Sequence, residues 1–349
     1  MSANYFDQLP DAVRHLLESS IFGEYATVSA QGVPIDTPTY VFAGRDSACI
    51  DVATGLAYPA KAERARRNPK VGLLVEGFPG EPVISIAAIA AVRDADIQAN
   101  ANRYIAETIG YFDAYSNGNP WEVARGAIHY WSRIIVECKP QRILWWPNAE
   151  AMDQPPQRWE APAGTVFPAS DPAPAAKPSK APAWPVHEWR ARAEETLKMG
   201  VGGHLTLLDD DGFPLPIRAR SVAIVDEGFD IDVPAAAPWP IRGQATLCFI
   251  GLSTFVGTVR PGPKGVRLTV ERMLPVLPMM QDPKEVFTPS EQTRATLLGR
   301  LNEELARRGQ SLPRISQEMP QPTPGSLRRA ERMAIIVKQM AQQQAGLDA

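Results

Sequence analysis

One half of this chain repeats the other, weakly but in the same order. Gly23-Glu24-Tyr25-Ala26-Thr27-Val28, then Gly32-Val33-Pro34, then Cys49-Ile50-Asp51-Val52 is answered later in the chain. The answer reads Gly202-Gly203-His204-Leu205-Thr206-Leu207, then Gly212-Phe213-Pro214, then Asp230-Ile231-Asp232-Val233, with spacings that agree to within about a residue. Further on, Val71 to Gly77 is matched by Leu247 to Gly251, and Arg133 to Val136 by Arg267 to Val270. Such a series restricts the chain to two copies of one small unit. The length of 349 residues agrees, being two units of roughly 150 residues with some left over. A stretch with ten prolines, from Pro147 to Pro185, separates the copies and has the composition of an extended connector.

Each copy reads as a helix followed by β-strands. In the first, Pro10 at the first helical position and apolar Val13, Leu16, Leu17 and Ile21 at helical spacing predict an opening helix. The segments YATVSA, TPTYVF, ACIDVA, VGLLVEG, VISIAAIAAV and RIIVECK then read as strands punctuated by Gly, Pro and Asp. Six short strands without regular βαβ alternation predict a small closed or nearly closed barrel in a mainly β, α+β chain. The expected divisions are a first barrel at 1–146 with a helical insert at 95–130, a connector at 147–185, a second barrel at 186–280 and a helical tail at 281–349. In the tail, Thr288-Pro289-Ser290-Glu291 reads as a capping box with Pro at N1, ahead of Leu297, Leu298, Leu301 and Leu305. A second helix follows from Ser326, and its Arg328, Arg329 and Arg332 read as a solvated face.

Composition narrows the function. A net charge of -3 offers no basic field for nucleic acid or an anionic membrane, so an anionic ligand has to be caught locally. Cys49, Cys138 and Cys248 are far apart and outside any CxxC or Cys/His grouping, which points away from disulfides and zinc and towards a reducing cytoplasm. The N-terminus lacks the pattern of a signal peptide, and Val83 to Val92 is about half the length needed to span a bilayer. The expectation is a soluble cytoplasmic protein with a small-molecule substrate and no metal.

The stretch from Asp51 to Glu76 carries the most chemistry. It reads strand, turn, short helix, stop, strand, with Pro59 in the first turn and Asn68-Pro69 ending the helix. Lys61 then lies where free N-H groups and the helix dipole favour an anion, and Arg64 lies one turn on along the same face. Thr54, at the strand end, adds a hydroxyl. These groups are placed to clamp a phosphate; the alternative is an ordinary solvated face of Lys61, Arg64, Arg66 and Arg67.

The order of a Gly32-Val33-Pro34 turn, Thr37-Pro38, a strand ending in a Thr-containing turn, then Lys61, Asn68-Pro69 and an apolar strand resembles the pyridoxamine 5'-phosphate oxidase-like family of FMN-binding split β-barrels. The resemblance covers about residues 8 to 93 and 131 to 146, and with the repeat it implies two tandem split barrels. It implies that Lys61 holds the FMN phosphate, with Thr54 and Arg64 near it, and that Asp36, Thr37 and Pro38 lie beside the flavin ring. It also implies a homodimer with the cofactor at a barrel interface, which a tandem pair can imitate within one chain. Of the substrate signature of the oxidase that names the family, only Trp131-Ser132-Arg133 is met, so vitamin B6 oxidation is not expected. The second copy lacks the Lys-x6-Asn-Pro element, with Arg242 its only nearby cation, and is expected to keep the barrel without the phosphate site.

The expected activity is flavin-dependent oxidoreduction of a small aromatic or apolar molecule. His129, at the end of the insert, is the candidate proton donor or acceptor, and Tyr111, Tyr115, Trp121 and Trp131 are candidates to line the substrate site. His15, His187 and His204 lie near no matched motif in the sequence. Other readings of the same fold are a non-enzymatic flavin or haem binder, a deazaflavin F420 protein, and a cofactor-free lyase or isomerase.

Overall fold

The computed structural model describes residues 5–179, 184, 186–276 and 283–347. The end of the Pro-rich connector (180–183 and 185) and the junction expected near residue 280 lie outside the described residues. Val13, Leu16 and Leu17 give α1 (Asp11–Ser19) its buried face, with Pro10 as the N-cap rather than the first helical residue. Six antiparallel strands follow: β1 (Phe22–Val28), β2 (Pro34–Ala43), β3 (Ile50–Gly55), β4 (Lys70–Glu76), β5 (Val83–Arg93) and β6 (Arg133–Trp146). They pair in the order β3-β2-β1-β4-β5-β6, and β6 returns to β3, so the ring closes and leaves no free edge. The first residues of β6 make that closure, from Gly55 opposite Arg133 to Ile50 opposite Cys138, while its far end also pairs with β7 (Gln157–Glu160).

Two insertions decorate this ring. Between β3 and β4 lies α2 (Ala60–Arg67), ended by Asn68 in an extended conformation (φ -132°, ψ 105°), as a following proline requires. Between β5 and β6 lies the expected insert, but broken into α3 (Ile97–Thr108), a 3-10 turn at Ile109–Tyr111, and the single turns α4 (Phe112–Tyr115), α5 (Trp121–Ala124) and α6 (Ile128–Trp131). The left-handed pair Asn117 and Gly118 (φ 53° and 75°) and then Pro120 separate α4 from α5. After β7 the Pro-rich chain runs along the first barrel, where the Asp171 carboxylate accepts from Asp94 N and Ala95 N, both at 2.9 Å.

The second copy opens with α7 (Trp189–Lys198). Its strands are β8 (His204–Leu208), β9 (Pro214–Arg218), β10 (Ser221–Val225), β11 (Gly228–Asp232), β12 (Gly243–Phe249), β13 (Ser253–Gly262) and β14 (Gly265–Met273). The order β10-β11-β14-β13-β12-β8-β9 is the first ring with its second strand cut in two. β9 keeps the pairing to the first strand and β10 the pairing to the third. At the break, Ala219 N donates to Gly203 O and Arg220 N to Asp232 O, so the bend leaves neither N-H bare.

The barrels pack β1, β2 and β4 against β8, β9 and β12, and the contacts are reciprocal. A Cβ on Gly72 of β4 would stand 1.8 Å from the Pro214 carbonyl oxygen, where β9 begins. At the counterpart position on β12, the Thr246 hydroxyl donates to the Pro34 carbonyl, where β2 begins, at 2.5 Å. Gly32 and Gly212 occupy the same left-handed turn (φ 78° and 82°). Counted back from those glycines, Glu24 and His204 hold the same position, and they meet each other at 2.7 Å. Contacts of this i-to-j and j-to-i kind mark an interface of two-fold type, here folded inside one chain.

The tail covers the first barrel. α8 (Glu291–Arg307) is capped by Ser290, whose side chain accepts from Thr293 N, two residues beyond the expected Thr288 cap. Pro289 therefore precedes the cap instead of opening the helix. Leu297, Leu301 and Leu305 of α8 enter the first barrel's core. In α9 (Pro324–Leu347), Arg329 and Arg332 are buried rather than solvated, because Glu107 and Glu81 pair with them; Arg328 is exposed. Both carboxylates come from the first barrel and its insert, so packing against that surface overrides the charge pattern. The three cysteines are buried and unbonded. Among the described residues no helix is long and apolar enough to cross a membrane.

Candidate cofactor site

The turn after β3 sets Thr54 beside the head of α2, where the Thr54 hydroxyl reaches the Tyr58 carbonyl at 3.4 Å. From the first turn of α2 the Lys61 ammonium donates to the Pro38 carbonyl on β2. One turn later Arg64 Nε donates to the Thr27 hydroxyl on β1 at 2.7 Å. Burial, reinforced by Arg64, pulls the Lys61 ammonium down to about 8, with Asp36 opposing. Arg66 on the same helix pairs with Asp94 at 2.6 Å, whereas neither Lys61 nor Arg64 has a carboxylate within 4 Å among the described residues. Arg67, the fourth cation of the helix, is exposed and donates to the Val28 carbonyl at 3.0 Å, so the two inward-turned cations without a counter-charge are Lys61 and Arg64.

Asp36, Thr37 and Pro38 lie on β2 between α2 and the second barrel. Asp36 is fully buried; its Oδ2 accepts from the Thr206 hydroxyl at 2.7 Å, and its carboxyl shares a hydrogen bond with Glu24. Burial, then the neighbouring Glu24, pushes its carboxyl well above the usual range. The Thr37 hydroxyl is enclosed without a partner among the described residues.

His204, set aside in the sequence, is the central group of the barrel interface. Its Nδ1 lies 2.7 Å from Glu24 and its Nε2 3.4 Å from Glu76, which in turn pairs with Arg218. Burial disfavours the imidazolium, but Glu24 and Glu76 outweigh it and hold His204 at about 10. Against its own burial, Glu76 is drawn down to about 2 by His204 and then Arg218. The available signal was an acid and a base at matched repeat positions, in Gly23-Glu24 and Gly203-His204.

The insert's rings form a second cluster. Trp131 stacks on Phe287 of the tail at 5.7 Å and Trp121 lies 5.5 Å from Trp131. Tyr115 packs on Phe287 at 6.0 Å, and Tyr111 joins Met333 of α9. All four candidate substrate residues are therefore packed beneath the tail, with only Trp121 edging a surface cleft of about 500 Å³ beside Asp113 and Met319. His129 is buried in the same region with Nε2 unpartnered, and burial lowers it to about 4, so it is a neutral imidazole near pH 7. Arg133, directly opposite Gly55 in the β3–β6 pairing, stands between this cluster and α2 and was not singled out as a site residue. Among the described residues no three His, Cys, Asp or Glu side chains are grouped to hold a metal ion.

No family model and no curated protein matches the chain. Solved structures do match it. General Stress Protein 26 from Bacillus anthracis str. Sterne is 14% identical, with 43% of this chain and 95% of that one covered and a TM-score of 0.29. A pyridoxamine 5'-phosphate oxidase-related, FMN binding protein from Nostoc punctiforme is 13% identical (42% and 85% covered, TM-score 0.29), and an F420 reductase is 16% identical (40% and 100%, TM-score 0.30). Each is 13–16% identical to this chain. The strand order described above fixes the architecture independently.

Proposed function

We propose that the first barrel holds FMN by its phosphate and that the protein is a flavin-dependent oxidoreductase of small aromatic or apolar molecules. The observation that carries this reading is the pair Lys61 and Arg64 at the start of α2, two inward-turned cations without a carboxylate counter-charge. The donor set fits the group: a phosphate supplies the missing charge at a helix start, and the Thr37 hydroxyl, without a partner among the described residues, offers a polar contact to a ring edge. When bound, the flavin supplies the electron transfer. Lys61 and Arg64 anchor it, and neutral His129 serves to accept a proton. Because the reciprocal interface is filled within the chain, the second barrel, rather than another copy, completes the site.

An absorbance spectrum taken after adding FMN and desalting tests this reading, since flavin, deazaflavin and haem absorb differently. Lys61→Ala removes a charged hydrogen bond of about 1.5–3 kcal/mol, so FMN affinity is expected to fall about tenfold or more with the fold intact. Unchanged affinity removes Lys61 as the anchor, and a colourless protein that takes up no FMN overturns the flavin reading.

A further inference from the structure

One more cation is left without a counter-charge, and the flavin reading does not use it. Arg133 is 7% exposed and makes no ion pair among the described residues. Its guanidinium lies over the Tyr104 and Tyr130 rings, at 4.2 Å and 4.4 Å from their centroids. Among the described residues its one hydrogen bond runs from Nη2 to the Tyr104 hydroxyl at 3.2 Å, and its Nε is enclosed without a partner. From Tyr104 the hydroxyls continue to Tyr130 at 3.1 Å and on to Tyr40 at 3.3 Å. Burial holds all three phenols protonated, so none is the missing anion.

Aromatic rings attract a cation through their electron-rich faces. Enclosing a charge without a counter-charge costs more than two such rings return, so the rings do not close the gap. A planar anion at the guanidinium edge would close it, because Nε there is left without a partner among the described residues. The surroundings fix its class. One guanidinium with neutral phenols suits a monoanion, and the adjoining Trp131 and Tyr130 rings, 4.9 Å apart edge to face, suit an aromatic body.

We propose that Arg133, with Tyr104, Tyr130 and Tyr40, receives the carboxylate of a small aromatic acid, the second reactant of the site. The position of Arg133 opposite Gly55, one residue beyond Thr54, puts that carboxylate next to the turn that leads into Lys61. Only the acid's role as a reactant rests on the flavin reading; its binding does not.

The test titrates benzoate, and separately inorganic phosphate, into the full chain with tryptophan fluorescence and calorimetry as readouts. Wild type, Arg133→Met and Arg133→Lys are compared, with FMN retention and Tm recorded for each. The expected result is benzoate binding by wild type, at least tenfold weaker binding by Arg133→Met, an intermediate loss for Arg133→Lys, and unchanged FMN retention. If Arg133→Met fails to fold, Arg133→Lys carries the comparison, because it keeps the charge and loses the planar fork. Benzoate binding that is absent from wild type, or equal in every folded variant, overturns the proposal. So does binding of phosphate but not benzoate, and so does loss of FMN with benzoate binding intact, which would assign Arg133 to the cofactor. A wild type that binds benzoate and no flavin keeps this site and removes the flavin reading alone.

Discussion

The two barrels share a ring of strands and differ in what interrupts it. Between the third and fourth strands the first barrel carries α2 with Lys61 and Arg64, whereas the second crosses from Asp232 to Gly243 without a helix. Between the fifth and sixth strands the first carries the whole aromatic insert, and the second turns directly from Gly262 to Gly265. The tail's leucines also join only the first barrel's core. A strand framework persists as long as its hydrogen bonds and alternating faces are kept, while chemistry resides in the connections and is lost with them. The second barrel packs on β1, β2 and β4 of the first.

The largest effect is expected where the copies differ at one shared position. His204→Leu leaves Glu24 buried without its cation while Glu76 keeps Arg218, a loss of about 3–5 kcal/mol, read as a lower denaturant midpoint. The same cation makes wild-type stability depend on pH. The groups facing it are Glu24, Glu76, Arg218, Asp36 and Cys248. The folded-state value of His204, about 10, lies above its ordinary 6.5. Its contribution is therefore complete below pH 6.5 and is lost as pH rises through 10. Asp36, also raised, acts in the same direction, whereas the Glu76 contribution is lost as pH falls from 4.5 through 2. Tm is expected to fall between pH 7 and 10 in wild type and less steeply in His204→Leu; parallel curves would remove His204 as the cause.

A smaller contrast tests the reciprocal packing. Gly72→Val drives a side chain into the Pro214 carbonyl and is expected to cost about 3 kcal/mol. Thr246→Val, at the counterpart position, gives up one hydrogen bond worth about 1 kcal/mol. Equal losses in thermal unfolding would count against the two-fold relation. The smallest effect is expected from Arg242→Ala, which should leave FMN retention at the wild-type level; a loss comparable to that of Lys61→Ala would mean that the second barrel kept a phosphate site.

The sequence made legible whatever is written in neighbouring residues. Six strands, α2 and its Asn68 stop follow from Gly, Pro and apolar runs, because turns and helix ends are local. The cut between β9 and β10 was not foreseen, since Ala219-Arg220 contains no breaker and the bend is held by bonds to Gly203 and Asp232. Arg329 and Arg332 were misread for a similar reason, their partners Glu107 and Glu81 being remote in the chain. Lys61 was visible through its motif. His204 carries no motif and Arg133 only the fragment Trp131-Ser132-Arg133, and only the fold shows that one has two carboxylates and the other, among the described residues, none.

Glu24 and His204 also show what joining two copies makes possible. In a pair of identical subunits a residue beside the rotation axis meets its own duplicate, so an acid there faces an acid and a base faces a base. Linked in tandem, the duplicates are encoded separately, and one substitution can turn mutual repulsion into attraction. Such a chain can afford opposite charges at its own centre, and the same freedom allowed one copy to drop its helix while the other kept it.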